Sequence, residues 1–164
     1  MNVDVQIACR GDSASAEDVA VWAESALAGD DRALCIRLVD AAEGAELNSR
    51  FRGRTYPTNV LAFPAGESDL LGDIAICAPV AIREACEQGK RLADHYAHLV
   101  IHGVLHLKGL DHETEADAVA MEAQEAKLLQ SLGIADPYLE QTPKRATAVV
   151  ACKDGVAGSQ THPA

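Results

Sequence analysis

"HGVLHLKGLDH" (102–112) carries three of the chain's six histidines, His102, His106 and His112, with Gly109 between the last two. The residues around it, "LADHYAHLVIHGVLHLK" (92–108), are apolar around most of a helical cylinder, which predicts a central buried helix. Residues four apart stand one turn apart on the same helical face, so His102 and His106 can point at one metal ion. Gly109 can take the positive-φ conformation that ends a helix and swings the chain back, bringing Asp111 and His112 within reach. Three neutral imidazoles suit zinc and leave a fourth tetrahedral position open for water, the pattern of a catalytic rather than a structural site. Imidazole also suits other divalent ions.

The spacing H-x-x-x-H-x-x-G-x-x-H is that of the metzincin proteases, in which a glutamate general base follows the first histidine. Here that residue is Gly103, which removes the base and suggests room for a bulky substrate beside the metal. His98 lies four residues before His102 and shares its face. With three ligands already supplied, His95 and His98 are expected behind the ligands or in the core. Asp111 is read either as an acceptor orienting a ligand histidine or as a turn residue.

At the start of the chain, "VDVQIAC" (3–9) alternates with period two and reads as a strand. Ser15 with Asp18 starts a helix whose apolar face is Val19, Trp22, Ala23, Ala26 and Leu27, stopping near Gly29. "ALCIRLVD" (33–40) is a second strand. "EGAELNSRFRG" predicts a short helix with Leu47 and Phe51 inward and Gly53 as its stop. "TNVLAFP", closed by Pro64, and "GDIAICA" (72–78) are strands with no helix between them, hence an antiparallel pair. Pro79 opens a helix ending near Gly89, and Thr114 with Asp117 caps a last one ending at Gly133. The expectation is one α/β domain over 1–140. It has a small mixed four-stranded sheet, about five helices, and the metal site on the central helix and the turn after it. Residues 141–164 lack periodicity and are expected to be a disordered tail.

At 164 residues the chain has room for one domain with a sizeable core. No apolar run approaches the roughly 18–20 residues of a membrane span, and "MNVDVQIACR" lacks the features of a secretory signal. A cytoplasmic protein is expected. Five cysteines without a C-x-x-C pair read as thiols rather than a disulfide framework, with Cys9, Cys35 and Cys77 buried in strands. The net charge of −11 argues against general nucleic-acid binding unless basic groups are gathered locally. Arg50, Arg52 and Arg54 in "SRFRGRTYPTN" are such a gathering.

In "LNSRFRGRTYPTNVLAFP" (47–64), "LGDIAI" (71–76), "HLVIHGVLHLKGLDH" (98–112) and "DPY" (136–138) the sequence resembles the YbeY family of bacterial endoribonucleases. The resemblance runs from about Val3 to Tyr138. It implies an α/β fold and zinc on His102, His106 and His112. It also implies cleavage of single-stranded RNA in maturation of the small-subunit ribosomal RNA 3′ end and in ribosome quality control. The family's functional arginine falls on Arg52, with Arg50 and Arg54 as further substrate-binding candidates. Expected partners are single-stranded RNA, ribosomal RNA and the small ribosomal subunit or its proteins, with no DNA and no membrane.

The missing glutamate fits that substrate. A phosphodiester is already anionic, and its transition state chiefly needs positive charge and a nucleophile, which a metal ion and an arginine can provide. The residues are also compatible with two other classes. One is a non-catalytic ribosome assembly factor with a structural zinc. The other is a metallohydrolase of peptides or small molecules, in which Asp73, Asp111 or Glu113 would have to serve the metal's water.

Overall fold

The computed structural model describes residues 2–11, 13–54, 58–110 and 114–138. Its elements follow the order β-α-β-α-β-β-α-α-α. They are β1 (Val3–Ile7), α1 (Ala16–Leu27), β2 (Ala33–Val39), α2 (Ala41–Arg52), β3 (Val60–Glu67), β4 (Leu70–Cys77), α3 (Ala78–Gln88), α4 (Leu92–Leu107) and α5 (Glu115–Ser131). The strands form one four-stranded sheet in the order β1-β2-β4-β3. β2 runs parallel to β1 and to β4, while β3 pairs antiparallel with β4. This is the mixed sheet expected from strands joined once without an intervening helix.

Local chemistry sets the helix ends. Ser15 accepts a hydrogen bond from the Asp18 amide at 3.1 Å, and Thr114 accepts one from the Asp117 amide at 3.0 Å, each satisfying a donor that the first turn would leave unpaired. The buried residues of α1 are Val19, Trp22, Ala23, Ala26 and Leu27. The ends of α1 and α4 are tied together, because Lys108 Nζ donates to the carbonyls of Ala26 at 3.1 Å and Leu27 at 2.9 Å. A cation there meets the negative end of the α1 dipole.

The core lies between the sheet and α1 and α4. Leu34, Ile36, Leu38, Ile74 and Ile76 from the strands meet Val19, Ala23, Tyr96, Val100, Ile101 and Val104 from the helices. α4 is buried along most of its length, as its apolar circumference requires. The approach of α4 to β4 is close at Gly103, where a Cβ would stand 3.0 Å from Ile74 Cδ1 and 3.2 Å from its Cγ2.

Three expectations change. β3 does not stop at Pro64 but continues to Glu67. It is an edge strand, and an edge tolerates the missing amide donor. In α2 the buried residues are Gly44 and Asn48. Leu47 is half-buried, and Phe51 is 56% exposed rather than inward. Cys77 is buried, but Cys9 and Cys35 are only partly so; all three are free thiols. The expected tail lies outside the described residues. Among those described, no helix is long and apolar enough to cross a membrane.

Candidate active site

A cleft of about 560 Å³ opens between α4 and the α2–β3 region. His102, Gly103 and His106 line one side; Phe51, Arg52 and the start of β3 line the other. The His102 and His106 rings are 5.0 Å apart between centroids, at 81° to one another. Arg52 is the last residue of α2, which Gly53 ends with φ +71°, a backbone state that costs glycine little. That stop leaves the arginine exposed at the cleft.

Behind His102 stands a group that the sequence reading did not single out. Glu125 of α5 is fully buried, and its Oε2 is hydrogen-bonded to His102 Nδ1. Its Oε1 accepts from the Tyr138 hydroxyl and lies 3.0 Å from His98 Nε2. His98 Nε2 is also 2.9 Å from the Tyr138 oxygen, and the two rings meet edge to face with centroids 5.4 Å apart. Burial alone would push the Glu125 carboxyl up. The hydrogen bonds from His102 and His98, with the Tyr138 hydroxyl, outweigh it and hold the group at about 2. Burial, then the Glu125 carboxylate, push the Tyr138 phenol well above its ordinary value, so it remains a donor. Burial likewise pulls His98 below its ordinary value, against the opposing effect of Glu125. A neutral His98 donates through Nε2.

This arrangement fixes a tautomer. With Nδ1–H donating to Glu125, His102 carries its lone pair on Nε2, the nitrogen through which it would take a metal. The donor set of two α4 imidazoles, one of them oriented by a buried carboxylate, therefore fits a divalent ion of the zinc type. Among the described residues no group of three histidine, cysteine or acidic side chains could hold an ion by itself. His112, the third histidine of the motif, lies outside them, as do Asp111 and Glu113.

The other named residues are placed as follows. His98 lies behind His102, joined to it through Glu125. His95 is also behind the site: its Nε2 is 2.9 Å from Glu84 Oε1, and Asn59, which lines the cleft, donates to the same carboxylate at 3.1 Å. Arg50 is exposed, 3.4 Å from Glu46, and Arg54 is exposed just beyond the α2 stop; neither lines the cleft. Asp73 is not brought to the cleft either. It is exposed on β4, alternating with the inward Ile74, in register with Cys35. Gly103 changes meaning. Its missing side chain would point at Ile74, so the glycine serves close helix–sheet packing as well as lining the cleft. Glu125 had one signal in the sequence, its position four residues from Met121 and from Leu129 on the buried stripe of α5.

The family model described as Endoribonuclease YbeY matches residues 7–133. Endoribonuclease YbeY of Stutzerimonas stutzeri is 50% identical over 162 residues, covering 94% of this chain and 99% of that protein. Endoribonuclease YbeY of Alkalilimnicola ehrlichii is 56% identical over 128 residues, 71% of this chain and 77% of that protein. Among solved structures, the solution structure of TM1509 from Thermotoga maritima aligns with a TM-score of 0.58 at 32% identity, covering 78% of this chain and 88% of that one. The family match and these identities agree, and the chain belongs to the endoribonuclease YbeY family.

Proposed function

We propose that this chain is a zinc-dependent endoribonuclease that cuts single-stranded RNA. Its place is the cytoplasm, in maturation of the small-subunit ribosomal RNA 3′ end and in ribosome quality control. Family membership supports the endoribonuclease reading. The observation that carries it to particular residues is that Arg52 lines the same cleft as His102 and His106.

His102 through Nε2, His106, and His112 outside the described residues would hold the ion. When bound, it supplies Lewis acidity at a phosphoryl oxygen and a water of lowered pKa, about 7 in zinc enzymes. Glu125 keeps the His102 ring turned for that task. Arg52 offers a planar fork of donors that can grip two non-bridging phosphate oxygens and stabilise charge as the phosphorus centre is attacked. RNA also brings its own 2′-hydroxyl as a nucleophile. The protease glutamate has no counterpart, since Gly103 faces Ile74. The anionic phosphodiester has less need of such a base than a peptide amide. With a net charge of −11, the protein gains little affinity for RNA from general electrostatics, so delivery to RNA through a partner on the small ribosomal subunit suits it.

The test is incubation of purified protein with a single-stranded RNA, the matching duplex and a peptide, each with zinc and with chelator. Cleavage of the single strand only, dependent on the ion, is expected. Peptide cleavage, or RNA cleavage indifferent to chelator, contradicts the proposal.

A further inference from the structure

The chain has two phenylalanines, and both line the cleft. Phe63 belongs to β3. Phe51 belongs to α2, and its ring centroid is 4.9 Å from that of Phe63, the planes inclined at 55°. Phe51 is nonetheless 56% exposed. It is not among the residues that α2 buries, which are Gly44 and Asn48. Leaving a large ring in water forgoes the favourable burial that most such side chains obtain. The surroundings of the ring are cationic in an otherwise acidic protein. Arg52 follows it in the cleft lining, Arg54 lies just beyond the α2 stop, and the Arg50 guanidinium is 5.9 Å from the ring centroid. That separation is at the outer reach of a cation–π contact.

An exposed aromatic ring flanked by arginines suits a ligand with a flat face and anionic groups beside it. We propose that Phe51, backed by Phe63, is a stacking platform for one unpaired base of a single-stranded RNA lying in the cleft. The inference rests on the endoribonuclease reading and deepens it, by giving a source for strand preference. A base in a duplex has both faces covered by its neighbours, whereas a base in a single strand can be splayed onto a side-chain ring. Stacking on an aromatic ring tolerates any base, because every base has a π-face. The subsite would therefore select for single-strandedness without selecting for sequence. The arginines then meet the flanking phosphates.

The experiment uses the full chain in chelator, so that binding is read without cleavage. A short single-stranded RNA with 2-aminopurine placed singly at successive positions reports stacking as fluorescence quenching. Wild type is expected to quench one position most strongly. Phe51→Leu should lose that quenching and bind about tenfold or more weakly, while Phe51→Trp should keep both. The matching duplex should bind wild type and Phe51→Leu alike. Thermal midpoints of the three proteins should agree, since the ring is exposed. Three results would overturn the proposal: no binding of the single strand by wild type, equal binding and quenching by Phe51→Leu, or weakened binding by Phe51→Leu with no position quenched in wild type. Cleavage by wild type with zinc restored is measured alongside. Stacking without cleavage would refute the endoribonuclease reading and leave the platform standing.

Discussion

The two walls of the cleft are built on opposite plans. On the α4 wall, His102 is backed by a carboxylate with no exposure to solvent, which His98 and Tyr138 also engage. On the α2–β3 wall, Phe51 and Arg52 stand exposed at the end of a helix. The first plan fixes donor atoms in direction before any ligand arrives; the second presents a grip to whatever lies in the cleft. Under the proposed function, holding an ion and holding a substrate fall to different elements, and substitutions should separate them.

The largest expected effect is on the α4 wall. His102→Ala with His106→Ala should reduce bound metal to background in elemental analysis of protein purified without added metal. Undiminished metal in that double variant would remove both residues from the site. Next is Gly103→Glu, which restores the protease residue at its sequence position. Because the side chain would be driven toward Ile74 in the core, the thermal midpoint should fall by about 5 °C or more. A stable variant that gains peptide cleavage would show that a side chain at this position turns into the cleft rather than toward Ile74. Smaller again is Glu125→Gln, which keeps size but exchanges a carboxylate for an amide behind His102. Zinc affinity should drop about 10- to 100-fold. In the cobalt-substituted protein the ligand-field spectrum should change, which mere loss of stability would not produce. An unaltered affinity and spectrum would reduce Glu125 to a packing role.

The element order was readable because its punctuation is local: Ser15 with Asp18, Thr114 with Asp117, Pro79 in a first turn, and a glycine within two residues of the end of each of the five helices. The juxtaposition of His102 and His106 was readable for the same reason, since two side chains one turn apart are a matter of spacing. The direction of Phe51 was not. In a 12-residue helix, Leu47 and Phe51 form a plausible inward stripe, but the face that approaches the rest of the protein is the one carrying Gly44 and Asn48. Glu125 was harder still. An acidic residue in a charged helix looks the same whether it meets water or two histidines, and its partners lie 27 and 23 residues away in the chain. Asp73 shows the reverse case. It lies between residues that pack on the helices, yet strand alternation turns it to the other side.

The central claim is that Arg52 acts on the substrate across the cleft from histidines that hold the ion. Single-turnover cleavage of a single-stranded RNA tests it most directly, with zinc content and thermal midpoint measured on every sample. Arg52→Ala should cleave roughly 10²- to 10³-fold more slowly, the scale of losing one donor to developing charge, with metal and stability unchanged. Arg52→Lys should recover part of the loss, because a point charge lacks the fork. Arg50→Ala and Arg54→Ala, outside the cleft lining, should lose far less and mainly in a salt-dependent way. An Arg52→Ala protein that cleaves at the wild-type rate, or one that loses activity only together with its zinc or its fold, would contradict the account.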